Sequence, residues 1–305
     1  MTMSHKGTSK PENNLPGILF MLSGIFVLTI MDVTAKLLVE ADYSPFQILA
    51  IRGWIICLSF VGWMGCRGRL GNLKTSRGHH FAIRGAIGFF APFLFFTTLG
   101  EMPLADTVVL FFAAPFLMTA LSVPLLKETV GRHRWAAICV GFVGVVIVAQ
   151  PGGGTFQFAA VYAMGGCLAY SLIQIMARWM STTETPVRMV FYFNAATAVI
   201  GSCALPFVWK PMSIEHILVL IAMAALAIVG HFCMATAFNK SPIGAIAPFE
   251  YSGLVWSALL GFAVWGDFPA RHVWFGAGII VACGIYMMYR ERVNKLTPHE
   301  ITIEI

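Results

Sequence analysis

Ten stretches of about 20 apolar residues, separated by short polar joints, fill almost the whole of this 305-residue sequence. A helix rising 1.5 Å per residue needs about 20 residues to cross roughly 30 Å of hydrocarbon. Within lipid, only helices and closed barrels satisfy every backbone group internally. The runs occupy 16–39, 44–66, 80–100, 103–126, 132–150, 158–180, 186–208, 214–238, 242–265 and 271–289. Most of their boundaries carry a charge or a proline (Pro45, Pro103, Pro151, Pro186, Pro211, Pro242, Pro269), and proline is tolerated in a first helical turn. The chain is therefore expected to be an all-α membrane protein with ten transmembrane helices. Composition agrees, since 58% hydrophobic against 11% charged residues cannot cover a soluble domain, which carries about a quarter charged residues.

The first run, Leu15 to Val39, is too long for the apolar part of a signal peptide and lacks a small-residue cleavage site, so it reads as a membrane span. The seven cysteines lie in or beside apolar runs with no C-x-x-C or Cys/His spacing. They read as small core residues, with no disulfide framework, metal site or cofactor expected. The net charge of +6 does not point to nucleic acid, because the basic residues sit in short joints. With the N-terminus inside, one side holds Lys6, Lys10, Arg67, Arg69, Lys74, Arg77, Lys127, Arg132, Arg134, Arg178, Arg188, Lys240, Arg290, Arg292 and Lys295, and the other only Lys210 and Arg271. The positive-inside rule then places both termini in the cytoplasm.

The sequence also repeats. Shifted by 139 residues without a gap, Thr97 falls on Thr236, Pro103 on Pro242, Glu128 on Asp267, Arg132 on Arg271, His133 on His272 and Trp135 on Trp274. At an offset of 142, Gly24, Ala35 and Lys36 meet Gly166, Ala177 and Arg178. Each half holds five spans, and an odd number forces the copies into opposite orientations. The expected organisation is a cytoplasmic tail over 1–15, one repeat over 16–150, its inverted counterpart over 158–289 and a cytoplasmic tail over 290–305. Inverted repeats with a substrate site at their interface typify alternating-access transporters.

Several stretches make the sequence resemble a known family. They are M-D-V-T-A-K (Met31 to Lys36), P-L-A-D (Pro103 to Asp106), Pro115, L-K-E-x-V-G-R-H-R-W (Leu126 to Trp135), G-F-V-G (Gly141 to Gly144), P-I-G-A-I-A-P-F-E-Y (Pro242 to Tyr251) and W-G-D-F-P (Trp265 to Pro269). In these it resembles the EamA-type branch of the drug/metabolite transporter superfamily, whose members have ten helices in two five-helix repeats. M-D-x-x-x-K and A-P-F-E-Y further resemble a subgroup that includes S-adenosylmethionine uptake and riboflavin import proteins. The resemblance implies a bacterial inner-membrane protein whose partners are a small-molecule substrate and the lipid bilayer, with export of amino acids or related metabolites as the alternative and a homodimer left open. An intramembrane enzyme is the rival from another class. One departure concerns Ile30, Met31 and Asp32, where the family often has small polar residues.

Ionisable groups at depth are costly, so they are the first functional candidates. Arg52 and Glu250 lie eight positions into their spans, about 12 Å deep at helical rise. Asp32 and Lys36 are one turn apart on one face, which suits either a self-neutralising ion pair or two pocket groups. Asp106, in the first turn of its span, reads either as a helix cap or as a substrate contact. Glu250 follows Pro248, which removes a backbone hydrogen bond, and a carboxylate beside such an opening can bind a cation or a proton. His231 suits a proton shuttle or a packing role. Tyr170, Gln174, Tyr192, Asn194 and Tyr251 offer hydrogen bonds to a flat polar ligand, or act as glue between helices. Arg84, one turn from the start of its span, is expected to snorkel to the surface. Phe89, Phe90, Phe93, Phe95, Phe96, Phe111 and Phe112 read mainly as lipid-facing or packing residues, and Gly141 and Gly144 as sites of close helix contact. Glu128 and Asp267 are expected to be structural caps at equivalent repeat positions. No phosphate-binding loop, H-E-x-x-H, G-x-S-x-G or D-D-x-x-D run is present, and N-K-S at Asn239 falls in a very short joint.

Overall fold

The computed structural model describes residues 14–150, 156–180 and 182–296. Its helices are α1 (Leu15–Glu40), α2 (Pro45–Cys66), α3 (Gly78–Glu101), α4 (Leu104–Phe111), α5 (Ala114–Leu126), α6 (Arg132–Ala149), α7 (Phe156–Met180), α8 (Pro186–Val208), α9 (Ile214–Lys240), α10 (Ile243–Ile246), α11 (Ser252–Trp265) and α12 (Arg271–Leu296). Among the described residues, nine helical stretches are long and apolar enough to cross a membrane, with α4 and α5 together forming one of them. The tenth apolar run is broken: α10 is a single turn, Ala247–Tyr251 winds as a 3-10 helix, and α11 has only 14 residues.

Both breaks have a local cause. Pro115 has no N–H to offer the carbonyl of Phe111, so α4 ends there and α5 begins after Phe112 and Ala113. The freed carbonyls are met from α7: the Cys167 thiol lies 3.5 Å from the carbonyl oxygen of Leu110 and 3.8 Å from that of Phe111, and the Ser171 hydroxyl donates to Ala114 at 3.0 Å. Irregular backbone at membrane depth persists only where such partners or a cavity satisfy it. The irregular stretch of the tenth run is the 3-10 segment Ala247–Tyr251, which the 139-residue offset of the sequence repeat carries onto residues 108–112, ending at the first break.

The long-range packing joins the two halves. α1 lies along α9, α7 along α3, α2 against α8 and α6 against α12. Exchanging the halves span for span turns the first of these pairs into the second and leaves the other two unchanged. The α6–α12 contact is close because both helices lack a side chain there: a Cβ on Gly144 would stand 2.9 Å from the carbonyl oxygen of Gly276 and 3.0 Å from Ile280 Cγ1. A leucine at position 144 is expected to destabilise the protein by about 1–3 kcal/mol through overpacking, read as a lower unfolding temperature in detergent; an unchanged temperature would show that the two helices can part freely.

Arg67, Arg69, Lys74 and Arg77 lie at one end of the bundle, called here the basic face. On this face Glu184, in the joint between α7 and α8, accepts from Thr75 Oγ1 at 2.7 Å and from Arg188 Nη1 at 2.9 Å. These hydrogen bonds hold the Glu184 carboxyl below its ordinary range, the Thr75 bond contributing most. A lowered folded value means that the carboxylate stabilises the joint above the unfolded value and loses that effect as pH falls through the folded one. Amide exchange over residues 73–76 and 182–186 is therefore expected to quicken in acid below about pH 4 in the wild type, and to be fast already at neutral pH in Glu184→Gln. Equal protection of the two proteins at neutral pH would remove Glu184 from this role.

The opposite face is held by Gln47, which donates to the Lys210 carbonyl at 2.7 Å and accepts from its N–H at 2.9 Å, and by Tyr43 Oη, 3.2 Å from His216 Nδ1. Arg84 does not snorkel: it is buried, and its guanidinium donates to the carbonyls of Ile173 and Met189, both at 3.4 Å, because α7 and α8 close over it. Tyr192 donates to Leu73 at 2.9 Å and stacks on Phe81, while Asn194 donates to Val190 within its own helix.

Candidate functional site

α1 occupies the middle of the bundle, touching α9, α11, α3, α2 and the 3-10 segment, while α7 faces α3, α4 and α5. These elements carry most of the ionisable and hydroxyl side chains found within the spans. Asp32, Arg52 and Glu250 are half-buried, whereas Tyr170, 41% exposed, and His231 are more open.

Within this interior the charges are arranged differently from the spacing-based expectation. Asp32 does not pair with Lys36. Its electrostatic partner is Arg52 of α2, at similar depth, and the two make no direct ion pair within 4.0 Å. Arg52 Nε has no hydrogen-bond partner within the protein. His231 on α9 feels the Arg52 charge, and its Nδ1, 2.6 Å from the carbonyl oxygen of Ala227, must carry the proton because a carbonyl only accepts. Its Nε2 is then the free acceptor.

A second group lies around the broken span. Glu250 and Tyr251 belong to the 3-10 segment, and Glu250 is electrostatically coupled to Tyr170 and Tyr251. Gln174 Nε2 lies 3.4 Å from the Tyr170 hydroxyl, one turn along α7. The Tyr251 ring is 5.0 Å from that of Phe112, so residues at the two chain breaks touch. It reaches over Gly284, where a Cβ would overlap the Tyr251 hydroxyl.

Lys36 and Asp106 are elsewhere, toward the opposite face. Lys36 is 4% exposed; its Nζ donates to the Met102 carbonyl at 2.8 Å, lies 3.8 Å from Glu40 Oε1 and sits 5.0 Å from the centre of the Trp265 ring. Trp265 Nε1 in turn donates to Glu40 Oε2 at 2.6 Å. Asp106 is buried beside this cluster, makes no capping hydrogen bond, and leaves Oδ1 without a partner in the protein. A hollow of about 630 Å³, lined by Glu40, Asp42, Phe46, Phe93 and Glu101 among others, opens between α1, α2 and α3, and Asp32, Arg52, Tyr170, His231 and Glu250 are not in its lining.

Two polar residues that the sequence reading passed over belong with the broken span. Ser252 Oγ and Trp256 Nε1 are buried on α11 without hydrogen-bond partners, and the Trp256 ring meets Phe26 of α1 at 4.9 Å. Their i, i+4 spacing just after P-F-E-Y was the available signal. Among the described residues no group of three or more His, Cys, Asp or Glu side chains is placed to hold a metal ion. The phenylalanines divide as packing requires: Phe89 and Phe96 are buried, while Phe90 is 52% exposed on the outer surface.

Comparison with known proteins is consistent with this architecture. The model of the EamA-like transporter family matches twice, over residues 15–150 and 157–290. The S-adenosylmethionine uptake transporter of Rickettsia prowazekii is 27% identical over 290 residues, covering 94% of this chain and 97% of that one. The riboflavin transporter of Vibrio cholerae is 24% identical over 273 residues, covering 88% and 91%. The pseudopaline exporter CntI of Pseudomonas aeruginosa is 25% identical over 209 residues, covering 66% and 72%. A solved crystal structure with 18% identity superposes with a TM-score of 0.62 over 92% of this chain and 99% of its own, and so shares the fold.

Proposed function

Because the chain belongs to the EamA-like transporter family, we propose that it is a secondary transporter that carries a small, charged, ring-bearing metabolite by alternating access, with S-adenosylmethionine uptake as the leading assignment. The observation that carries this reading is Arg52, at membrane depth with Nε unpartnered in the protein and Asp32 within electrostatic reach, while Glu250 is coupled to Tyr170, so that the interior offers both signs of charge and an aromatic ring. S-adenosylmethionine presents a carboxylate, two cationic centres and a flat base, so each group finds a complement. The ring system of riboflavin is neutral and would leave these charges unanswered, at a cost in a site of low dielectric. The named relatives are transporters, and an enzyme would need an acid/base or metal constellation that the pocket's spread of single carboxylates does not supply.

The two halves act in this reading as inverted five-helix repeats. Matched helix breaks and a packing scheme unchanged by exchanging the halves support that arrangement, with the pocket between α1 and α7 and their neighbours. The basic face is placed in the cytoplasm and the protein in a bacterial inner membrane, with both termini inside. A cysteine replacing Asn72 should resist impermeant maleimide in intact cells and react after permeabilisation; labelling from outside would reverse the orientation. For the transport itself, purified protein in proteoliposomes should take up labelled S-adenosylmethionine and leave riboflavin outside. Riboflavin uptake alone would move the assignment to the second substrate, and efflux alone under an imposed proton gradient would make the protein an exporter.

A further inference from the structure

The repeat offsets pair four charged residues that neither the pocket nor the packing core uses. An offset of 139 sets Glu128 on Asp267, and one of 142 sets Lys36 on Arg178. Equivalent residues of this kind need not meet in space, but here they are set crosswise and one couple is in contact. Arg178 Nη2, at the basic-face end of α7 in the second half, lies 2.7 Å from Glu128 Oε1, just beyond α5 in the first half. At the other end, Lys36 of the first half lies within electrostatic reach of Asp267 of the second but forms no ion pair with it. Its Nζ is held by the Met102 carbonyl and Glu40 and lies over Trp265, next in sequence but one to Asp267. One member of a symmetry-related couple is made and the other is unmade.

We propose that Glu128–Arg178 and Lys36–Asp267 are equivalent charge latches between the two halves, one on each face, which close alternately during transport, and that this conformation has the basic-face latch closed. The proposal rests on the transporter reading above. Several features suit the groups to it. The made pair is solvated, with side-chain exposures of 69% for Arg178 and 31% for Glu128, so it can break without stranding a buried charge. Lys36 already holds alternative partners, so moving its ammonium from a carbonyl to the Asp267 carboxylate needs a side-chain swing rather than local unfolding. Lys127, beside Glu128, has a left-handed backbone with φ of 55°, which ends α5 sharply and fixes where the carboxylate begins. A contact present in only one of two states shifts the balance between them, whereas a contact equal in both shifts nothing. The latches must therefore respond in opposite senses to substitution, which static staples would not.

The test is a pair of spin-label distances in reconstituted full-length protein, between Thr129 and Thr182 across the basic face and between Asp42 and Ala270 across the other. Glu128→Gln is expected to raise the population with a separated basic face roughly two- to fivefold, the range for an exposed ion pair. Asp267→Asn should lower that population, and the reversal Glu128→Arg with Arg178→Glu should return the Glu128→Gln shift toward wild type. Distances that stay unchanged in all variants, or that move the same way in Glu128→Gln and Asp267→Asn, would overturn the latches and leave two structural staples. Flux of S-adenosylmethionine in the unlabelled wild type separates the premises. Opposed shifts without any flux would reject the transport assignment and keep the latches, while normal flux with unresponsive distances would reject the latches alone.

Discussion

Asp32→Asn is expected to lower substrate flux about 10- to 100-fold, the loss of one charge-assisted contact of about 1.5–3 kcal/mol at about 1.4 kcal/mol per decade, with the protein still inserted and folded. The reason lies in its coupling to Arg52. The two charges sense each other without an ion pair, and Arg52 Nε has no partner in the protein, so a ligand with opposite charges at its two ends would complement both. Removing the carboxylate leaves Arg52 enclosed with less compensation, which adds a moderate loss of stability. The second-site pattern identifies the partner. Adding Arg52→Gln to Asp32→Asn should recover the stability and leave flux low, whereas adding Lys36→Met should recover neither, because Lys36 is engaged by Met102 and Glu40. Recovery of flux by Lys36→Met would show that the sequence-adjacent pair operates after all.

Glu250→Gln is expected to reduce flux at least about tenfold and to flatten its dependence on pH. Amide and carboxylic acid have nearly the same shape, so the substitution removes the charge and its titration while sparing the 3-10 turn. Glu250 stands where the backbone is irregular and is coupled to both Tyr170 and Tyr251, so its protonation state sets the charge that a bound substrate meets. Initial rates at several pH values, normalised to folded protein, give the comparison. Wild-type flux and pH profile in the variant would remove Glu250 from the mechanism and favour a mostly neutral aromatic pocket.

The spans were legible in the sequence because hydrocarbon imposes a length and a composition on every helix that crosses it. Their breaks were less so. Pro248 signalled weakened hydrogen bonding and Pro115 was not read so, and whether a proline kinks a helix or divides it depends on what receives the freed carbonyls; Cys167 and Ser171 lie about 55 residues away from the first break. Partners within the membrane were not legible from spacing. Lys36 has an acid one turn before it, Asp32, and another one turn after it, Glu40, so spacing alone offered two equal choices. The outcome turns on the Met102 carbonyl and the Trp265 ring, which only tertiary packing brings near. Arg84 illustrates the same limit: its depth suggested snorkelling, whereas the carbonyls of Ile173 and Met189 keep it inside.

Alternating access through the pocket between the halves is tested most directly by counterflow. Proteoliposomes of the purified protein, loaded with unlabelled S-adenosylmethionine and diluted into a trace of labelled compound, should accumulate label transiently above its equilibrium level. The overshoot should be lost in Asp32→Asn and kept in Arg188→Gln. Label that equilibrates without an overshoot would point to a channel-like pore, and no entry of label would contradict transport of this substrate.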